Sequence, residues 1–123
     1  MMGNEETSYY FEEWYITELN RYIYMKNYDY YIEFSVNSDS EIFVYRYNID
    51  NLKLLIGTGY DNLRKINSRY NVKICIPSRT QQQQGNPYLA PITVRLNALI
   101  ANRRSARNLL DAVMYIFDIV AYK

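Results

Sequence analysis

Hydrophobic positions recur along this chain with two different periods, and the switches between them divide it into elements. From Ser8 to Tyr24, the residues Phe11, Trp14 or Tyr15, Leu19 and Ile23 return every three or four positions, the spacing that gathers side chains on one face of a helix. Glu12 and Glu13 are expected in its first turns, where negative charge is favoured. Tyr28 to Val36 is rich in aromatic and β-branched residues, Asn37-Ser38-Asp39-Ser40 has turn chemistry, and Glu41 to Ile49 places Ile42 and Val44 in alternation. Together these stretches predict a β-hairpin with a four-residue loop.

A short helix is expected from Asp50 to Ile56, then a glycine loop, then a second helix from Asp61 to Ser68 or Tyr70 with Asp61 as its cap. Val72 to Ile76 reads as a strand that ends at Pro77, which cannot continue a ladder. Gln81 to Gln84, Gly85 and Pro87 form a polar loop of low complexity. Pro91 to Leu96 is a further strand, with Ile92, Val94 and Leu96 inward and Thr93 and Arg95 outward. Asn97 is placed to cap a long last helix. Its stripe runs Ile100, Arg103 or Arg104, Ala106, Leu109 with Leu110, Val113, Ile116 with Phe117, and Val120.

Composition narrows the class. A chain of 123 residues, 49% hydrophobic and 16% aromatic, can pack one domain with an extension. It has no histidine and a single cysteine, Cys75, which excludes a disulfide within the chain and any Cys/His zinc site. No start resembles a signal peptide, and the most apolar stretch, Leu109 to Val120, is short and broken by Asp111 and Asp118, so no membrane span is expected. An intracellular protein, cytoplasmic or nuclear, is the expectation. Catalysis is the least supported class, since Cys75 lacks a histidine to activate it and nothing gathers paired carboxylates around a pocket. No catalytic residue, metal ligand or cofactor is expected. Trp14 reads as a core or interface anchor.

Charge divides the chain. Up to Glu41 there are two basic and nine acidic residues, a balance of −7, and from Ile42 onward twelve basic and four acidic, a balance of +8. Such a split suggests that the second part meets a polyanion or docks against the first. Arg103, Arg104 and Arg107 on the last helix are either a solvated face or a phosphate patch.

The most informative stretch is Leu54-Leu55-Ile56-Gly57-Thr58-Gly59-Tyr60-Asp61-Asn62-Leu63-Arg64-Lys65-Ile66. Its glycines leave main-chain N–H groups uncovered, and the helix that follows aims its unpaired N–H groups and the positive end of its dipole at the same loop, which suits an anion such as a phosphate. Ile56 and Gly57, with Leu63 and Ile66 behind them and the strand Asn71-Val72-Lys73-Ile74-Cys75-Ile76-Pro77 after, resemble the core of a KH domain, whose pattern is Ile-Gly-x-x-Gly followed by two spaced apolar residues. The loop Gly57-Thr58-Gly59-Tyr60 departs at its last position, where the family has glycine.

The resemblance covers about residues 41 to 121 and is closest to the type I arrangement. It implies an α+β fold: a three-stranded antiparallel sheet packed on three helices, extended by an N-terminal helix and strand. On this basis residues 1–40 are an acidic, tyrosine-rich extension and 41–123 the KH-like domain. The function it implies is non-catalytic binding of single-stranded RNA, or single-stranded DNA, in a groove that takes about four nucleotides. Gly57, Thr58, Gly59 and Tyr60 then form the backbone clamp, Leu54, Leu63 and Ile74 the apolar floor, and Arg64, Lys73 and Arg79 contact phosphates or bases, with Lys53 and Lys65 near the rim. Tyr60 either obstructs the backbone's approach or stacks on a base. The alternative is a KH fold kept as a protein-interaction or dimerisation module within a ribonucleoprotein, its contact or self-association made by the N-terminal extension.

Overall fold

In the computed structural model, which describes residues 8–77, 91–98 and 101–121, the chain is an α+β unit with a four-stranded antiparallel sheet and four helices. Helix α1 spans Ser8–Met25, strand β1 Glu33–Val36, β2 Ile42–Arg46, helix α2 Leu52–Ile56, α3 Asp61–Tyr70, strand β3 Val72–Cys75, β4 Ile92–Leu96 and helix α4 Arg103–Val120. The strands lie in the order β1-β2-β4-β3. Val36 faces Ile42, Ile42 faces Val94, and Ile74 faces Val94 from the other side. The N-terminal strand thus lengthens the sheet at the outer edge of β2, closing an edge that would otherwise be open.

Alternation decides what each strand contributes. Ile42, Val44, Val72, Ile74, Ile92 and Val94 are buried on one face, where the helices pack. Leu96 is only half-buried, so the inward set of β4 is Ile92 and Val94. The α1 stripe resolves in favour of Tyr15: Phe11, Tyr15, Leu19 and Ile23 are buried, whereas Trp14 is half-buried and packs its ring 5.8 Å from Phe11. Helix α4 buries Ala106, Leu109, Leu110, Val113, Ile116, Phe117 and Val120, and Arg103 and Arg104 stay exposed. Both helices feed one continuous core, so the aromatic extension is packed into the same interior as the sheet.

Several boundaries differ from expectation, each for a local reason. Helix α1 keeps its expected start at Ser8, with Glu12 and Glu13 in its second turn. It ends where Asn27 takes the left-handed conformation, φ 60°, and Tyr28 N–H donates to Ile23 O at 2.8 Å. Tyr28 O then accepts from the N–H groups of Tyr31 and Ile32, so residues 28–32 turn and the strand opens only at Glu33. The hairpin loop runs over residues 37–41: Asn37 Oδ1 accepts from the N–H groups of Asp39 and Glu41, and Asn37 Nδ2 donates to Glu41 Oε1.

The caps move as well. Asn97 does not cap α4; its side chain donates to Val72 O at 3.1 Å, tying the end of β4 to the start of β3. Asn102 is the cap, with Ser105 completing a capping box: Ser105 N–H donates to Asn102 Oδ1 and Asn102 N–H to Ser105 Oγ. At the other end of α4, Asn48 N–H donates to Val120 O at 2.7 Å and Asn51 Nδ2 to Ile119 O at 3.0 Å. These bonds anchor the start of α2 to the core. No described helix is long and apolar enough to cross a membrane.

Candidate nucleic-acid interface

Helix α2 has five residues, too few to stand alone, and is held by its burial and by its ends. Leu52 and Leu55 enter the core, which turns Leu54 outward. After Ile56 the chain reverses within four residues. Gly57 adopts φ 75° and ψ 173°, and a Cβ there would lie 2.8 Å from the backbone nitrogen of Asn62, so only glycine fits. The Asn62 side chain in turn donates to Leu54 O and Leu55 O at 3.2 and 3.0 Å, satisfying the last carbonyls of α2.

Gly59 and Tyr60 follow, both left-handed, at φ 59° and φ 65°. For a tyrosine this region costs on the order of 1–2 kcal/mol, and here three of four consecutive residues hold positive φ. The loop spends its own hydrogen bonds sparingly. Gly57 N–H donates to Lys53 O and Tyr60 N–H to Gly57 O, while among the described residues the N–H groups of Thr58 and Gly59 donate to nothing. Helix α3 then begins at Asp61 with Tyr60 in the cap position and no side-chain cap, contrary to the expected Asp61 cap. Asp61 instead pairs with Lys65 one turn on, at 3.4 Å, which offsets its negative charge at the helix start.

Beside this loop lies a groove of about 650 Å³, lined by Ile49, Asp50, Leu52, Lys53 and Ile56 from the α2 side, Tyr60 and Leu63 from the loop and α3, and Ile74, Ile76 and Pro77 from β3 and its end. Of the residues expected at a site, the structure brings Lys53, Tyr60, Leu63 and Ile74 together in that lining, with Gly57, Thr58 and Gly59 alongside Tyr60. Tyr60 is 59% exposed, so its ring stands at the wall of the groove and does not fill it. The described residues of the N-terminal extension do not line it either; α1 packs on α4 and β1.

Other expected residues fall elsewhere. Leu54 is 59% exposed and outside the lining; the floor on this side is Leu52 and Ile56. Arg64 is exposed on α3 and Lys65 is engaged with Asp61. Lys73 alternates with the buried Val72 and Ile74, so it projects from the opposite face of the sheet. Arg79, like the polar loop around Gln81 to Gln84, lies outside the described residues.

The groove residues that the periodicity passed over are Ile49, Asp50, Leu52, Ile56, Ile76 and Pro77. Three apolar residues in succession, Leu54-Leu55-Ile56, hide the facing of a five-residue helix; the four-residue step from Leu52 to Ile56 was the available signal.

What the site offers chemically is an apolar trough with two free main-chain donors and an uncapped helix start at its side, and one cation and one carboxylate, Lys53 and Asp50, in its wall. Among the described residues no group of histidine, cysteine, aspartate or glutamate is placed to hold a metal ion. Comparison of the chain with protein-family models, with curated proteins and with solved structures finds no match.

Proposed function

We propose that this protein is a non-catalytic, KH-type binder of short single-stranded RNA, with the nucleotide backbone laid along Thr58 and Gly59 and the bases set into the groove floored by Leu52, Ile56, Leu63 and Ile74. The observation that carries this reading is the pair of unused N–H groups on Thr58 and Gly59, next to an uncapped helix start and beside an apolar trough. The order of elements from β2 through α2, α3, β3 and β4 to α4 supports it, as does the left-handed backbone at Tyr60, where the family pattern has glycine. Few cations line the groove, so modest affinity and a shallow salt dependence are expected.

The test is a fluorescence-anisotropy titration of the full chain with a randomised single-stranded RNA decamer, repeated with Thr58→Asp/Gly59→Asp. Gly59 has open space around it, and aspartate is among the residues that tolerate the left-handed region, so the fold should persist with an unchanged circular dichroism spectrum. Binding should fall by at least about tenfold through phosphate repulsion. Unaltered binding would sink the assignment. A second reading is favoured by the exposed Tyr24, Met25 and Tyr30 around the end of α1, which suit a protein contact. Absence of RNA binding together with a dimer mass in light scattering would move the assignment to it.

A further inference from the structure

The four-stranded sheet has a second face, and among the described residues no helix covers it. Ser35, Phe43, Tyr45, Lys73, Cys75, Thr93 and Arg95 alternate with the buried strand residues and therefore share that face. Ser35, Phe43, Thr93 and Cys75 stand opposite one another in one row across all four strands. Phe43 and Tyr45 take no part in the core, and their rings lie 6.2 Å apart, forming an aromatic surface on β2. Half-buried aromatic rings on an uncovered sheet face suit flat partners.

Charge selects among such partners. Lys73 and Arg95 are directly opposite each other in the β3–β4 register, both exposed, and neither forms an ion pair among the described residues. Like charges opposed across strands destabilise a sheet, and an anion bridging them removes that cost. The nearby acids are otherwise engaged or off to one side. Glu33 pairs with Arg46 at 3.8 Å, Glu41 accepts from Asn37, and Asp39 and Glu41 border Arg95 at a small hollow by the hairpin loop, away from Lys73.

We propose that this sheet face is a second surface for single-stranded RNA, with bases stacking on Phe43 and Tyr45 and the phosphate chain crossing Lys73 and Arg95. The proposal rests on the groove reading above for the class of partner and extends it. Edge strand β3 joins the two surfaces, since Ile74 lines the groove while Lys73 and Cys75 on the same strand face the other way. An RNA longer than the groove holds can pass around that edge onto the aromatic face.

The full chain is titrated with two randomised RNA probes, a tetranucleotide and a dodecanucleotide. Phe43→Leu/Tyr45→Leu keeps apolar bulk while removing the rings, and Lys73→Gln/Arg95→Gln removes the charges from exposed positions. Each variant should weaken the dodecanucleotide by about fivefold or more and leave the tetranucleotide unchanged, the charge variant also lowering the salt dependence. Equal loss for both probes, or no loss for the longer one in either variant, overturns the proposal. A shift in mass by light scattering on loss of the rings, without a change in RNA affinity, overturns it in favour of a contact between copies. If the tetranucleotide fails to bind while the dodecanucleotide binds and depends on these four residues, the groove reading falls and the sheet face stands. No binding of either probe removes both.

Discussion

The two ends of the helical layer are built on opposite terms. Where α1 meets α4, side chains close the structure. The Tyr22 hydroxyl donates to both oxygens of Asp118 at 2.9 and 2.7 Å, Tyr28 donates to Asp118 Oδ1 at 2.9 Å, and Lys26 sits over the Tyr22 ring at 5.5 Å. Tyr15 and Leu19 are fully buried below, and Phe34 meets Phe117 at 6.1 Å. Where α2 meets α3, the main chain is bent into positive φ at Gly57, Gly59 and Tyr60, no side chain caps α3, and two N–H groups stay unused. One end is finished by its own residues and the other leaves donors for something else. Strain and open donors of that kind gather at binding sites, whereas satisfied polar clusters hold elements in place.

The largest effect separating the two ends should come from Leu19→Ala. Leucine-to-alanine changes in packed cores cost about 2–5 kcal/mol, so a denaturant melt should show a loss in that range, with the protein that remains folded still binding RNA. A loss under about 1 kcal/mol would mean that α1 is peripheral to the fold. Gly57→Ala sharpens the other side. Its Cβ meets Asn62 and its φ is left-handed, so a smaller loss of about 1–3 kcal/mol is expected, accompanied by weaker RNA binding as the loop is displaced. Full retention of both stability and binding would show that the loop geometry is dispensable.

The mildest test uses pH. Burial first, and then the adjacent Asp118 carboxylate, push the Tyr28 hydroxyl up to about 12; Tyr22 is raised by the same causes. In the unfolded chain these groups lose their protons near pH 10, before the folded protein does, so their contribution to stability is complete below that point and is lost between about pH 10 and 12. The urea midpoint should decline over that interval, and the decline should be shallower in Tyr28→Phe. An identical decline in the variant would remove the Tyr28–Asp118 bond from the account.

Much of this molecule was legible residue by residue. The α1 and α4 stripes, the hairpin turn at Asn37 and the glycine loop before Leu63 all carry local signals, because helix and strand periods and turn chemistry act over a few residues. Errors came where two local signals compete. Asn97 was the expected cap, but its side chain is taken by Val72 O, and the capping box forms at Asn102 and Ser105. Tyr28 to Ile32 has strand composition, yet Tyr28 is drawn to Asp118 on α4, ninety positions away, and the chain turns there. Leu54 is apolar and next to the loop, but the burial of Leu52 and Leu55 turns it to solvent.

The sequence alone determined the order of elements and the place of the exposed backbone, since spacing, glycines and turn residues are properties of neighbours along the chain. Tertiary structure decided the rest: that the acidic extension joins the core, that Leu54 turns away from the groove, and that Lys73 leaves the groove for the far face. Each of those outcomes turns on which surfaces are buried against each other, and burial is settled by contacts between residues far apart in the chain.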